Sequence, residues 1–272
     1  MKKIYLLNVL LFCLLSLSAQ HLLPSEKPMK KSVIKNISIA LGNEMDMIYG
    51  LSQEQLVSMI KGTPRFEYET LEFSDKDLES MICENPTLSI SLGIQPRSFK
   101  NGYFEFSARA IWDRVDFVSY HKQITHQGRP YASHIDFNSR SNEANLGLAY
   151  IHHLKALNTF GLRFGAGTNI GYSFDNQMTV SGSNVKIQGQ EIDNGSDPLE
   201  PVMYDQFRDS YTMRNSLYNR IYVEGGLDIT ILNKVTLGAV YRFGYGARTT
   251  FGNGEVDPIK NQSIRLFAAY QL

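Results

Sequence analysis

Ile264-Arg-Leu-Phe-Ala-Ala-Tyr-Gln-Leu272 is the stretch that decides the fold. Ile264, Leu266, Ala268, Tyr270 and Leu272 share one face of an extended chain. Arg265, Phe267, Ala269 and Gln271 share the other. The alternation runs to the last residue, so this reads as a two-faced strand with no tail after it.

Seven earlier stretches carry the same period of two. They are 36–42 (Ile37, Ile39, Leu41 on the apolar face), 87–95 (Leu88, Ile90, Leu92, Ile94), 103–115 (Phe104, Phe106, Ala108, Ala110, Trp112) and 143–153 (Ala144, Leu146, Leu148, Tyr150). The others are 160–174 (Phe160 to Phe174), 217–231 (Ile221, Val223, Leu227, Ile229, Ile231) and 235–245 (Val235 to Tyr245). With the last stretch this gives eight strands. The connections 96–102, 154–159 and 232–234 are short, whereas 43–86, 116–142, 175–216 and 246–261 are long. Short turns on one side and long loops on the other are the pattern of transmembrane barrels.

The beginning of the chain fits export. Met1-Lys2-Lys3 precedes an apolar run, Ile4 to Leu17, and Ser18-Ala19 offers a cleavage site ahead of Gln20. That run is shorter than the roughly twenty residues a spanning helix needs. Residues 1–19 are thus expected to be a removed signal peptide, 20–35 a basic lead-in, and 36–272 the barrel. Removal takes Cys13 away and leaves Cys83 as a single thiol with no intramolecular partner. Of 27 basic and 27 acidic residues the mature chain would keep 25 and 27. There is no basic excess that would suggest nucleic acid. No mature segment is apolar enough for a membrane helix, so insertion would need strands closed on themselves.

The chain resembles the small outer-membrane β-barrel families of Gram-negative bacteria, the eight-stranded OmpA-transmembrane-like and porin-family barrels. The resemblance spans about 36–272 and rests on the strand pattern and the terminal strand. It implies an all-β, antiparallel transmembrane barrel in the outer membrane, termini on the periplasmic side, and long extracellular loops. It also implies lipid and the barrel assembly machinery as partners, with Leu266, Tyr270 and Leu272 as the assembly signal. Leu272 departs from the phenylalanine usual at that end.

The face opposite the apolar one carries Glu105, Arg109, Asp113, Glu143, Arg163, Arg220, Glu224, Asp228, Arg242 and Arg265, five acids and five arginines. An eight-stranded barrel is filled by its own side chains. Charges there must be paired, and the guanidinium fork suits carboxylates. The expectation is a salt-bridged plug; a narrow porin or transporter for small solutes is the alternative. Gly161, Gly165, Gly167, Gly171, Gly238, Gly244 and Gly246 share this inner face and leave room for arginines.

No catalytic motif, cofactor site or metal site is expected. Adjacent His152 and His153 point to opposite faces of a strand. His121, His126, His134 and Asp136 lack diagnostic ligand spacing. Ser119 with His121, or Ser133-His134 with Asp136, has the composition of a hydrolase or of a barrel-embedded lipid-modifying enzyme, but matches no motif. The glycines lack the following helix that a phosphate loop requires. Binding is expected in the loops, above all 43–86 and 175–216, where another envelope protein could dock. Ser52-Gln-Glu-Gln55 is a capping-box-like helix start, with the apolar Leu56, Val57, Met59 and Ile60 running to Gly62. Phe66 to Glu69 reads as a hairpin extension and Ser74 to Ile82 as a second helix. The acids Asp193, Asp197, Glu200, Asp205 and Asp209 make the third loop acidic.

Overall fold

The structure is a computed structural model, and it describes residues 33–48, 52–64, 85–126, 129–155, 159–187, 202–231, 234–252, 254 and 256–272. The expected signal peptide, the expected lead-in up to residue 32, Cys83, the stretches Phe66 to Glu69 and Ser74 to Ile82, and the acids Asp193, Asp197 and Glu200 lie outside the described residues.

Nine strands and one helix follow in order: β1 (Val33–Ile48), α1 (Gln53–Ser58), β2 (Asn85–Gln95), β3 (Gly102–His126), β4 (Arg129–Lys155), β5 (Phe160–Ile187), β6 (Val202–Thr212), β7 (Ser216–Ile231), β8 (Val235–Thr250) and β9 (Val256–Gln271). Each strand pairs antiparallel with its neighbours in the order β4-β3-β2-β1-β9-β8-β7-β5. A further β4–β5 ladder closes the ring at eight strands. The fold is a closed, eight-stranded antiparallel β-barrel. Closure matters because it leaves the ring no open edge. The first and last strands close it along Asn36↔Gln271 to Ile48↔Ile259, and β1 already includes Val33–Lys35.

The outer face is apolar over a continuous belt. Ile39, Leu41, Ile90, Leu146, Ile170, Val223, Leu227, Ile264 and Leu266 are each at least half exposed. From Ile37 to Leu41 on β1, Phe104 to Ala110 on β3, Phe160 to Phe174 on β5 and Ile264 to Tyr270 on β9, the outward positions hold no charged residue. Aromatic rings flank this belt. Phe99, Phe104 and Tyr150 cluster near the end that carries Val33 and Gln271, here termed the base. Tyr172 packs near Phe251, and Phe243 near Tyr245, toward the opposite rim.

Three β-bulges change the register, one at Lys35 near the base of β1 and two higher in the wall. On β3 the pairing with β4 shifts between Ile111 and Arg114. Trp112 is 47% exposed, Arg114 is fully buried, and Asp113 takes a left-handed φ of 49°. One extra residue reverses which parity faces inward. A matching shift separates the β4 residues Arg140 and Asn142, where Asp175 of β5 has a φ of 53°. Asn142 links the two bulges: its side-chain carbonyl accepts from Asp113 N at 3.2 Å, and its amide donates to Asp175 at 3.3 Å.

Beyond the bulges the strands continue. The spans 116–142 and 175–216, expected as loops, are largely β-structure: β3 and β4 pair out to His126↔Arg129, and β5 pairs with β6 out to Ile187↔Val202. The reading as loops fails because a bulge breaks the period of two and hides the continuation. Likewise β8 runs to Thr250 and β9 starts at Val256, inside the span 246–261. β1 extends six residues past Gly42, from Asn43 to Ile48, into what reads as the first loop.

The α1 helix forms where the sequence places one. Ser52 Oγ accepts from Gln55 N at 3.2 Å and Gln55 Oε1 accepts from Ser52 N at 2.8 Å, a reciprocal capping box. One turn and a half buries Leu56, with Met59 and Ile60 just after it, against Tyr120, Ile135, Phe137, Met178, Val180 and Met213. These strand residues point inward above the bulges. Arg214 fixes the helix end, donating from its backbone N to Met59 O at 2.8 Å and from Nε to Ser58 O at 3.2 Å. Lys61 N donates to Thr212 O at 2.8 Å. Gly252, at φ +100°, lies against the Arg214 guanidinium where a Cβ would collide with it.

Candidate functional site

The inner face has the most developed side-chain chemistry among the described residues, and it is organised in two charged layers. In the layer nearer the base, Glu224 of β7 accepts from Arg163 Nε at 2.8 Å, Arg242 Nε at 2.6 Å and Arg265 Nη2 at 3.1 Å. Arg163 of β5 also donates to Glu105 at 2.7 Å and to Tyr103 Oη at 2.9 Å. The Arg242 guanidinium lies 4.1 Å over the Tyr222 ring, and Arg163 lies 5.2 Å over Phe267.

In the layer nearer the rim, Arg220 of β7 donates to Glu143 at 2.5 and 3.0 Å and to Asp46 at 2.7 Å. Arg114 donates to the same two carboxylates, Asp46 at 2.6 Å and Glu143 at 3.0 Å. Arg109 pairs with Glu44 and donates to Asn145 Oδ1 at 3.2 Å. The Tyr218 ring sits between Arg114 and Arg220, 4.6 and 4.5 Å from their guanidinium carbons. Asn261 Nδ2 completes Asp46 at 2.6 Å. Each strand delivers these groups because its inward positions alternate with lipid-type outward ones. Glycines make the room: a Cβ on Gly171 would meet Glu143 and Asn145, and one on Gly165 would meet Ile151 and Glu224.

Nine of the ten sequence-named charges are buried on this inner face. Asp113 is the exception and a correction. Its side chain is 66% exposed, on the outside, 4.0 Å from Arg140. The bulge moved it out and put Arg114 in its place. Asp228 is inward but joins neither layer: His153 Nε2 lies 2.9 Å from its carboxylate near the base, over Gly161. Sequence reasoning missed Glu44 and Asp46, which sit in the extension of β1 assigned to a loop. Their alternation, Gly42-Asn-Glu-Met-Asp-Met47, continues the strand period and was the available signal. It also missed Arg248, which pairs with Asp257 at 2.9 Å toward the rim.

The outer face of the β3–β4 extension brings Ser119 opposite Asp136 and His121 opposite His134. Ser119 Oγ donates to Asp136 at 2.5 Å and lies 3.0 Å from His121 Nε2. A hydrolytic relay needs histidine between the hydroxyl and the acid. Here the serine stands between, with its proton committed to Asp136. Among the described residues no three His, Cys, Asp or Glu side chains converge to hold a metal ion. Beneath α1, burial among apolar side chains pushes the Tyr120 phenol well above its usual range.

No protein-family model and no curated protein matches the chain. Among solved structures it is similar to Neisserial surface protein A, at 10% identity over 89% of this chain and 100% of that one, with a TM-score of 0.42. It is similar also to Ail, the attachment invasion locus protein of Yersinia pestis, at 12% identity over 88% and 100%, with a TM-score of 0.31. OprG, an outer membrane protein from Pseudomonas aeruginosa, shares 9% identity over 88% and 96%, with a TM-score of 0.38. The closed ring of strands in this chain carries the fold assignment by itself.

Proposed function

We propose that this protein is an integral outer-membrane barrel whose lumen is closed and whose work is done by the β3–β6 extension and α1 at the extracellular rim. The observation that carries the reading is the pairing of an uncharged apolar exterior with a charged, filled interior. A soluble protein rarely exposes a contiguous apolar patch beyond a few hundred Å². Here the apolar face is the outside and the ion pairs are the core, which suits a lipid surround. The burial of the inner charged layers supports a closed lumen. Arg114, Arg220, Glu44 and Glu143 are at most 1% exposed, and α1 with its apolar cluster lies above them. A cavity beside Arg265, Ser38 and Ser91 is no larger than a water molecule.

With the bore closed, no solute is handled inside, and the role falls to the exposed extension as a binding or structural component of the envelope. Its outer face is polar, with Gln177, Gln206, Arg208 and Ser210 exposed. A photo-crosslinking residue at Arg208 should trap a discrete envelope protein in the native membrane, while the same residue at Leu146 should trap lipid. Lipid or nothing at both positions would count against a partner-binding rim.

A further inference from the structure

We propose that the base of the barrel is a binding surface for acidic phospholipid headgroups in the membrane leaflet on that side. The inference rests on the membrane placement proposed above and adds a lipid class to it. The three sequence segments that connect strands at the base read Pro96-Arg-Ser-Phe-Lys-Asn101, Ala156-Leu-Asn-Thr159 and Leu232-Asn-Lys234, and none contains an aspartate or glutamate. Arg97 and Lys100 on the first turn, Lys155 at the end of β4 and Lys234 at the start of β8 are exposed. The acid close by, Asp228, has a side chain only 3% exposed and is taken by His153.

At the rim, acids stand beside Arg140, which faces Asp113 at 4.0 Å, and beside Arg248, which pairs with Asp257 at 2.9 Å, while Lys260 Nζ lies 5.6 Å over the Phe243 ring. The position of the base cations sets the ligand. They stand just outside the base aromatic ring of Phe99, Phe104 and Tyr150, the level at which aromatic girdles meet lipid headgroups. Lys234 Nζ lies 5.9 Å over the outward Tyr270 ring, so one ammonium group rests against a ring face at this height. A lipid phosphate brings the negative charge that the turns lack. Basic residues at an anionic membrane surface contribute about 1 kcal/mol each, roughly a fivefold preference per charge.

The test uses the full mature chain refolded into vesicles of phosphatidylcholine with one-fifth phosphatidylglycerol, then extracted with its tightly held lipid. The ratio of phosphatidylglycerol to phosphatidylcholine in that lipid should exceed the bulk ratio about fivefold, the preference set by one such charge. Combined R97Q, K100Q, K155Q and K234Q should abolish the enrichment, and R140Q with K260Q at the rim should leave it intact. Retention of the two lipids in the bulk ratio, or enrichment that survives the fourfold substitution, would overturn the proposal. The heat-modifiable band of a folded barrel in pure phosphatidylcholine separates the two claims. If that band forms without lipid preference, only this inference fails; if no band forms, the membrane placement fails and this inference with it.

Discussion

Glu224→Ala should be among the most damaging single substitutions in this chain. Glu224 is buried and accepts from three guanidinium groups, those of Arg163, Arg242 and Arg265. Removing one partner of a buried pair typically costs about 3–5 kcal/mol, because the other charge stays behind in low dielectric. Here three cations stay behind, and Glu224 is the carboxylate that Arg265 reaches among the described residues. The loss should sit at the upper end of that range. In urea titrations of the vesicle-folded barrel the midpoint should fall sharply, or the folded band should not form at all. Glu224→Gln, which keeps the volume, should recover only part of the loss. The companion measurement is Asp113→Asn, which removes the charge and keeps a side chain that tolerates the left-handed φ. Because the bulge places that carboxylate outside, its removal should change stability by no more than about 0.5 kcal/mol. Equal effects at the two acids would contradict the layered arrangement.

The second large effect is expected at a residue that packs against little of the protein. Leu146 is 70% exposed, the most open of the large apolar side chains among the described residues. In a water-soluble protein Leu146→Arg would be close to neutral, within about 0.5 kcal/mol. On the lipid face of a barrel, an arginine near the bilayer midplane costs about 2–4 kcal/mol. The Leu146→Arg barrel in vesicles should therefore be destabilised by that amount. Gln177→Arg, also exposed but beyond the rim aromatic ring on β5, should have little effect. The pair converts the apolar belt into a measured depth: two exposed sites, one substitution type, and different outcomes only if lipid covers one of them.

Much of the barrel is legible in the order of its residues, and the reasons are physical. A strand inside a closed ring must hide its backbone polar groups in its neighbours and show two different solvents to its two faces. The period of two at Leu146, Leu148 and Tyr150, or at Ile264 to Leu272, records that constraint directly. So do the inward arginines, since a charge in a narrow bore must be matched by another strand. The pattern breaks down where local geometry overrides the period. One extra residue at Asp113 moves a carboxylate from the inside to the outside and turns Arg114 inward, and nothing in the composition of Trp112-Asp-Arg114 marks the change. The same event on β5 at Asp175 disguises the continuation of that strand. Above the bulges the inner face also changes character, from arginines and acids to Tyr120, Phe137, Met178 and Val180. That change exists to receive α1. The helix is legible from Ser52 and Gln55, but its seat is not, because the seat is assembled from strands whose extensions look like loops. Glu44 and Asp46 are hidden for the same reason, and with them the partners of Arg109, Arg114 and Arg220.

The closed bore is the claim on which the proposed function depends. It makes the exposed extension, rather than a channel, the place where the protein acts. Recording of the purified, refolded protein in planar lipid bilayers tests it most directly. With ion pairs spanning both layers and α1 seated above them, the membrane current should stay at baseline across moderate applied voltages. Steady, ohmic single-channel steps would show an open bore and would contradict the closed-barrel reading.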